Sequence, residues 1–133
     1  MPSKELPKLT DPELEIMQII WKLEEATVNQ VLDAFNGGRK KDVRRTTIQV
    51  QMERLEEKGW LAHRDEGRSF VYRATRGREQ TNVEIVRDMS DRVFQGSTTD
   101  LVRTLLGSSR ISPDEIKRLR DLLDQHGPSR KKQ

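Results

Sequence analysis

The chain begins with two short stretches in which apolar residues recur every three or four positions, as they do on one face of a helix. A capping box formed by Thr10 and Glu13 precedes the first stretch and predicts a core helix over residues 11–22. Thr27 and Gln30 repeat the capping box before the second stretch, which predicts another short helix.

A third helix is predicted over Arg45–Lys58, with Gly59 as its stop. At about 100° per residue, its apolar residues Ile48, Met52 and Leu55 share one face and point into the core. Thr46, Val50, Glu53 and, to the side, Gln49 point away from the core, so Thr, Gln and Val fill most of the positions where an ordinary solvated helix has Lys and Glu. Such side chains can read base edges in the major groove of DNA, because Gln can pair with adenine and methyl groups can contact thymine. This face therefore predicts DNA recognition.

Residues 61–74 are predicted to form two antiparallel strands, since apolar and polar side chains alternate on either side of a turn at 65–67. Phe70 and Tyr72 fall on one face of the second strand. A two-stranded hairpin is only marginally stable alone, so it must pack against the helices. Three helices followed by a hairpin is the winged helix-turn-helix plan, in which the hairpin, or wing, contacts the DNA backbone.

Three further helical stripes of apolar residues lie between Gln80 and His126. Ser112 and Glu115 have capping-box spacing and mark the start of the last helix. Three short helices cannot enclose a core alone, so docking on a second copy of the chain is predicted. The apolar residues predicted to form this homodimer contact are Val86, Met89, Val93, Phe94, Leu101, Leu105, Ile116, Leu119, Leu122 and Leu123.

Length and composition exclude several classes of protein. The chain has 133 residues, which is room for one compact domain with a small appendage and not for a large enzyme core. It has no Cys, which excludes disulfides, thiolate metal sites and Cys nucleophiles. No stretch resembles a signal peptide or approaches the roughly 20 apolar residues of a membrane-spanning helix. No phosphate-binding loop, metal-ligand cluster or nucleophile motif is present, so we expect a cytoplasmic protein that is not an enzyme and needs no cofactor.

Positive charge is concentrated in the middle of the chain. Residues 39–78 contain twelve Lys or Arg and six Asp or Glu, although the formal net charge of the whole chain is only +3. Because this segment contains the third helix and the hairpin, we predict that it faces an anionic partner, as a DNA-binding surface does.

Four runs of the sequence resemble the penicillinase-repressor family of bacterial transcription factors, the BlaI/MecI type: LTDPELEIMQIIW, EEATVNQVLDAF, TTIQVQMERLEEKGWL and EGRSFVYR. The most specific elements are the Thr-Thr pair that opens the third helix, the Arg-Leu and Lys-Gly pairs that close it, and the Gly-Arg and Phe-x-Tyr pattern of the wing. The resemblance covers about residues 9–125. It implies a homodimeric repressor whose winged helix binds an operator dyad, commonly with TACA/TGTA half-sites, and whose C-terminal helices hold the dimer together.

We therefore predict a mainly α fold with a small β-hairpin wing, in which a winged helix-turn-helix DNA-binding domain precedes a C-terminal helical dimerisation region. The predicted segments are an N-terminal tail (1–8), the DNA-binding domain (9–78), the dimerisation region (79–126) and a basic tail (127–133). The residues predicted to read bases are Thr46, Thr47, Gln49 and Val50. Those predicted to contact the DNA backbone are Arg39, Lys40, Lys41, Arg44, Arg45, Arg54, Arg68, Ser69 and Arg73.

The predicted function is sequence-specific repression of transcription by a homodimer on a palindromic, double-stranded DNA operator. In the best-studied members of the family an inducing protease system cleaves an Asn-Phe bond, and the corresponding residues here are Thr104 and Leu105. Two alternatives stay open: a winged-helix module that contacts proteins, and a protein that binds DNA without sequence preference. The first should carry acidic or apolar residues where this chain has Arg44, Arg45, Arg68 and Arg73.

Overall fold

The computed structural model describes residues 6–38, 42–108 and 110–131, with the side chains of 127–131 left out. Within these residues the elements are α1 (Asp11–Leu23), β1 (Glu25–Ala26), α2 (Val28–Asn36), α3 (Arg45–Glu57), β2 (Leu61–Glu66), β3 (Ser69–Ala74), α4 (Arg78–Phe94), α5 (Thr98–Leu106) and α6 (Pro113–Lys131). The mainly α fold with a small sheet is thus confirmed. The chain forms two compact units, Met1–Val83 and Glu84–Gln133, and the division falls inside α4, five residues after the boundary predicted at residue 78.

The first two of the three predicted capping boxes are formed. The Thr10 hydroxyl accepts a hydrogen bond from the backbone N–H of Glu13, and the Glu13 carboxylate accepts one from the N–H of Thr10. Thr27 and Gln30 make the same reciprocal pair at the start of α2. These bonds satisfy N–H groups that have no partner inside the helix, which is why the two helices begin where the sequence predicts.

The core of the first unit lies between α1, α2, α3 and the sheet. Its fully buried side chains include Ile16, Met17, Ile20, Val31, Ile48, Met52 and Leu55. Two indole groups at its edge have partners for their polar atoms: the N–H of Trp21 donates to the carbonyl of Arg76 and that of Trp60 to the carbonyl of Pro7. The buried faces of the first three helices therefore agree with the helical periodicity of the sequence.

The sheet has three strands in the order β1-β3-β2, so the predicted two-stranded hairpin was incomplete. The added strand β1 pairs Glu25 with Arg73, and two residues are too few to produce a recognisable alternation in sequence. The predicted position of the turn was also wrong, since Glu66 pairs with Ser69 and the loop of the hairpin is Gly67 with Arg68. The tip of the wing is exposed on both faces, so alternation of apolar and polar residues could not locate the end of the strands.

Side-chain contacts fix both ends of α3. At its start, Asn36 donates from Nδ2 to the carbonyl of Val43 (3.1 Å) and accepts at Oδ1 from the Val43 N–H (2.8 Å). At its end, the Nζ of Lys58 lies 2.8 Å from both carboxylate oxygens of Glu13 in α1. The helix ends one residue earlier than predicted, and Gly59, at φ +95°, reverses the chain in a conformation that favours glycine.

The Glu13 carboxylate is buried, and burial on its own raises its pKa. The hydrogen bonds and charge of Lys58, together with the hydrogen bonds to Thr10, outweigh burial and hold the pKa below its usual value. Glu13 is therefore ionised in the folded protein at neutral pH, and its ion pair joins the first turn of α1 to the end of α3.

The second unit contains most of α4 together with α5 and α6. The Ser112 hydroxyl accepts from the N–H of Glu115, which is one of the two hydrogen bonds of the predicted capping box. Helix α6 continues to Lys131 and so extends into the segment predicted as a basic tail. Gly127 and Pro128 are poor helix formers, but the helix does not end at them. Across residues 6–38, 42–108 and 110–131, no helix combines the length and apolar content needed to cross a membrane.

Candidate nucleic-acid interface

Helix α3 presents the polar face that the sequence predicts. Ile48, Met52 and Leu55 are buried, and Thr46, Thr47, Val50 and Arg54 are exposed on the other side. Val50 is a large apolar side chain that is 45% exposed. A helix that is buried on one side and lined with short hydrogen-bonding and methyl-bearing side chains on the other is suited to lie in the major groove.

A continuous row of hydrogen bonds runs along one edge of this face. Arg45 donates from Nε to Oδ1 of Asn29 in α2 (2.7 Å) and from Nη1 to Oε1 of Gln49 (2.9 Å). Gln49 in turn donates from Nε2 to Oε2 of Glu53 (3.2 Å). The spacing of four residues along α3 could have indicated this row in sequence. Asn29 could not have been found in this way, because it lies sixteen positions before Arg45.

The row lines an open groove of about 210 Å³ between α2, α3 and the wing. Its lining combines Thr27, Val28 and Asn29 at the start of α2 with Arg45, Gln49 and Glu53 of α3 and with Arg68, Ser69, Phe70 and Tyr72 of the wing. The structure thus brings together three groups predicted separately: Gln49, which is predicted to read bases, the basic start of α3, and the wing residues Arg68 and Ser69.

The base of the wing is held against α3 by His63 of β2. Its Nδ1 lies 2.8 Å from the carboxylate oxygens of Glu56, and its ring stacks on Phe70 with centroids 4.1 Å apart. Tyr72 is buried beside it, and burial, with the nearby carboxylates of Glu56 and Glu53, raises the pKa of its phenol. These contacts set the distance between α3 and the wing, and hence the width of the groove.

Arg64, which was not among the predicted contact residues, belongs to an ion-pair network on the other face of the wing. Its Nη1 and Nε lie 2.8 Å from the carboxylates of Glu25 and Glu66 respectively. The hydrogen bonds from Arg64 lower the pKa of Glu25, and those carboxylates raise the pKa of Arg64. Two carboxylates counter the charge of Arg64, which leaves Arg68 as the cation of the wing that faces the groove.

Other predicted backbone contacts lie elsewhere. Arg73 follows Tyr72 along β3 and points to the opposite face of the strand, away from the groove. Arg44 is the N-cap residue of α3 and is exposed. Arg39, Lys40 and Lys41 lie outside the described residues. No cluster of three His, Cys, Asp or Glu side chains suited to a metal ion occurs in the part of the chain that the structure describes.

The second unit carries a different kind of surface. Large apolar side chains that are at least 47% exposed include Val86, Val93, Leu105, Leu122 and Leu123, and all five are predicted dimer-contact residues. The other five predicted contact residues are partly buried: Met89, Phe94, Leu101, Ile116 and Leu119. Exposed apolar side chains in this number are typical of a surface that another protein covers.

The chain is similar to known transcriptional repressors. A family model described as penicillinase repressor matches residues 9–125. The penicillinase repressor of Bacillus licheniformis is 33% identical over 132 residues, which is 98% of this chain and 99% of that protein. The methicillin resistance regulatory protein MecI of Staphylococcus aureus (strain N315) is 25% identical, over 89% of this chain and 94% of its own. The solution structure of the DNA-binding domain of the repressor BlaI matches 57% of this chain and 90% of that domain, with a TM-score of 0.50 and 36% identity.

Proposed function

Because this chain belongs to the penicillinase repressor family, we propose that it acts as a homodimer that reads a palindromic operator with α3 and excludes RNA polymerase from an overlapping promoter. Membership of the family makes the chain a DNA-binding transcriptional repressor and not an enzyme, as the sequence predicts. A repressor of this kind would work in the cytoplasm of a bacterium, where the operator is.

The observation that carries the proposal is the exposed face of α3 beside a groove with cations on both sides. Gln49 and Val50 offer an amide and methyl groups to base edges, as Thr46 and Thr47 do with hydroxyl and methyl groups. Arg45 at the start of α3 and Arg68 on the wing lie on opposite sides of the groove, where each could bind a phosphate. Base contacts would supply specificity, and phosphate contacts would supply position and affinity.

The exposed apolar side chains of α4, α5 and α6 support the dimer. Pairing of two copies would cover them, and a twofold axis would present two α3 helices to two half-sites about 34 Å, or a multiple of that distance, apart. Thr104 and Leu105, where the resemblance places the cut of an inducing protease, are exposed in the last turn of α5. A protease would have to open that turn, since Thr104 Oγ1 also donates to the carbonyl of Asp100.

Fluorescence anisotropy of a labelled duplex tests the function directly. A duplex with a TACA/TGTA dyad is compared with a scrambled duplex of equal length and composition, at about 50 mM and about 200 mM salt. We expect the dyad to bind more tightly at both salt concentrations, because base contacts do not depend on counterion release. Equal binding to both duplexes that fades with salt would favour the alternative of non-specific DNA binding. Absence of binding to either duplex would favour the protein-contact module.

Replacing Arg68 with Ala should weaken binding to both duplexes by a similar factor. Loss of one phosphate contact should also reduce the slope of log affinity against log salt by about one unit. The matched control is Arg64→Ala on the same hairpin, whose guanidinium is held by Glu25 and Glu66 on the other face. A full unit of slope lost in the control, with none lost in Arg68→Ala, would reverse the assignment of the two faces of the wing.

A further inference from the structure

We propose that Arg45 and Glu53 are positioning residues that hold the amide of Gln49 in one orientation, so that it reads adenine with a fixed polarity. This inference rests on the proposed function, since it concerns how α3 recognises its operator. It assigns a role to Glu53, which the sequence analysis left without one, and a second role to Arg45 besides phosphate binding.

The chemistry of the two neighbours allows only one orientation of the amide. A guanidinium can only donate hydrogen bonds, and an ionised carboxylate can only accept them. Gln49 therefore has to turn Oε1 towards Arg45 and Nε2 towards Glu53, as the distances of 2.9 and 3.2 Å record. A flipped amide would place its N–H groups against the guanidinium and its oxygen against the carboxylate, and both hydrogen bonds would be lost.

The remaining capacity of the amide matches adenine. A Gln side chain has two N–H donors and two oxygen lone pairs, and the row uses one of each. The other donor and lone pair can bind N7 and the N6 amino group of an adenine in the major groove. Because the amide cannot flip, the acceptor always lies towards the N-terminal end of α3 and the donor towards its C-terminal end.

The row is anchored outside α3. Arg45 is fixed by Asn29 at the start of α2, so its guanidinium is not free to swing away from Gln49. Glu53 is exposed and lines the same groove as Arg45 and Arg68. A carboxylate in a groove that binds DNA repels phosphates and lowers affinity for every sequence. Its hydrogen bond to Gln49 gives a reason for an acidic side chain at this position.

The test uses duplexes in which each adenine of the dyad is replaced in turn by 7-deazaadenine, which lacks the N7 acceptor. The adenine that Gln49 reads is the one whose replacement weakens binding of the full-length wild-type protein but not of Gln49→Ala. One lost hydrogen bond of such a pair should cost the wild type about tenfold in affinity.

Glu53→Lys is the decisive variant. A Lys at this position can only donate, so it competes with Arg45 for Oε1 of Gln49 and removes the acceptor that holds Nε2. We expect its binding to the dyad to change by less than about twofold when 7-deazaadenine replaces the adenine that Gln49 reads. The matched control is Glu57→Lys, which makes the same charge change about one helical turn further along α3. Glu57→Lys should gain similar non-specific affinity for DNA, but 7-deazaadenine should still lower its affinity about tenfold, as in the wild type.

Two results would overturn the inference while leaving the proposed function intact. In the first, the wild type prefers the dyad, but 7-deazaadenine at each position lowers the affinity of the wild type and of Gln49→Ala by the same factor. In the second, Glu53→Lys loses as much affinity as the wild type when 7-deazaadenine replaces the adenine. Glu53 would then act only as a charge that repels phosphates. A wild type that does not prefer the dyad over the scrambled duplex contradicts the proposed function itself, and the inference fails with it.

Discussion

Replacing Leu122 with Asp is expected to convert the protein into a monomer and to lower its affinity for a full operator by about 100-fold or more. Leu122 is 51% exposed in the single chain, so the substitution should leave the protomer folded. In the proposed dimer the new carboxylate would be buried among apolar side chains without a partner, which costs several kcal/mol and opposes association. Each monomer then binds its half-site separately, so the affinity that a dimer gains by binding two half-sites at once is lost.

Light scattering coupled to size exclusion measures the mass of wild type and variant, and anisotropy measures binding to full and half operators. Affinity for an isolated half-site should be unchanged, because the substitution lies in α6 and not in the first unit. Lys117→Gln, on the opposite side of α6, changes the charge by the same single unit and should leave both mass and affinity as they are. A wild type that is monomeric at micromolar concentration, or a Leu122→Asp variant that stays dimeric, would contradict the assignment of this surface.

Replacing Lys58 with Met is expected to lower the free energy of unfolding by about 3 kcal/mol at pH 7. The reason is the buried partner: the side chain of Glu13 is 2% exposed and that of Lys58 is 28% exposed, so the substitution leaves a carboxylate without its counter-charge in the core. For the DNA-binding unit this corresponds to a fall in Tm of roughly 10 °C or more. Thermal unfolding followed by circular dichroism would measure it, with Lys22→Met at the exposed end of α1 as the control.

The difference between wild type and Lys58→Met should shrink as the pH falls. In the wild type the pKa of Glu13 is lower in the folded than in the unfolded protein, so the ion pair stabilises fully above the unfolded pKa and is lost as pH falls through the folded pKa. In the variant only the hydrogen bonds to Thr10 still oppose burial, so the pKa of Glu13 is higher than in the wild type and protonation on acidification relieves the penalty of a buried charge.

A double variant separates the charge from the loss of packing. Glu13→Gln with Lys58→Met removes both charges and keeps an amide that can still cap α1, so it should recover most of the stability lost in Lys58→Met. A single variant that loses less than about 1 kcal/mol, at every pH, would mean that water reaches Glu13 and that the pair is a surface interaction.

Local sequence patterns were sufficient to predict α1, α2 and α3. The capping boxes at Thr10 and Thr27 and the apolar spacing of Ile48, Met52 and Leu55 each depend on residues within one or two helical turns, and so can be read without knowledge of the fold. The orientation of α3 and the exposure of Val50 follow from them. The family resemblance rests on the same local motifs.

Several features that the sequence did not predict depend on residues far apart in the chain. Lys58 meets Glu13 across 45 positions, and Arg45 meets Asn29 across sixteen. The small strand β1 forms only because β3 is placed beside it. The roles of Thr46, Thr47, Gln49 and Val50 in base reading, and of the apolar residues in dimerisation, stay predictions for the experiments above.

The two hydrogen bonds between Asn36 and Val43 form a clamp that holds the last residue of α2 against a residue two positions before α3. Residues inserted or deleted between positions 36 and 43 would change the entropy of a loop that the clamp already closes, at a cost that grows slowly with length. An insertion between these two positions should therefore leave the spacing of α2 and α3 unchanged.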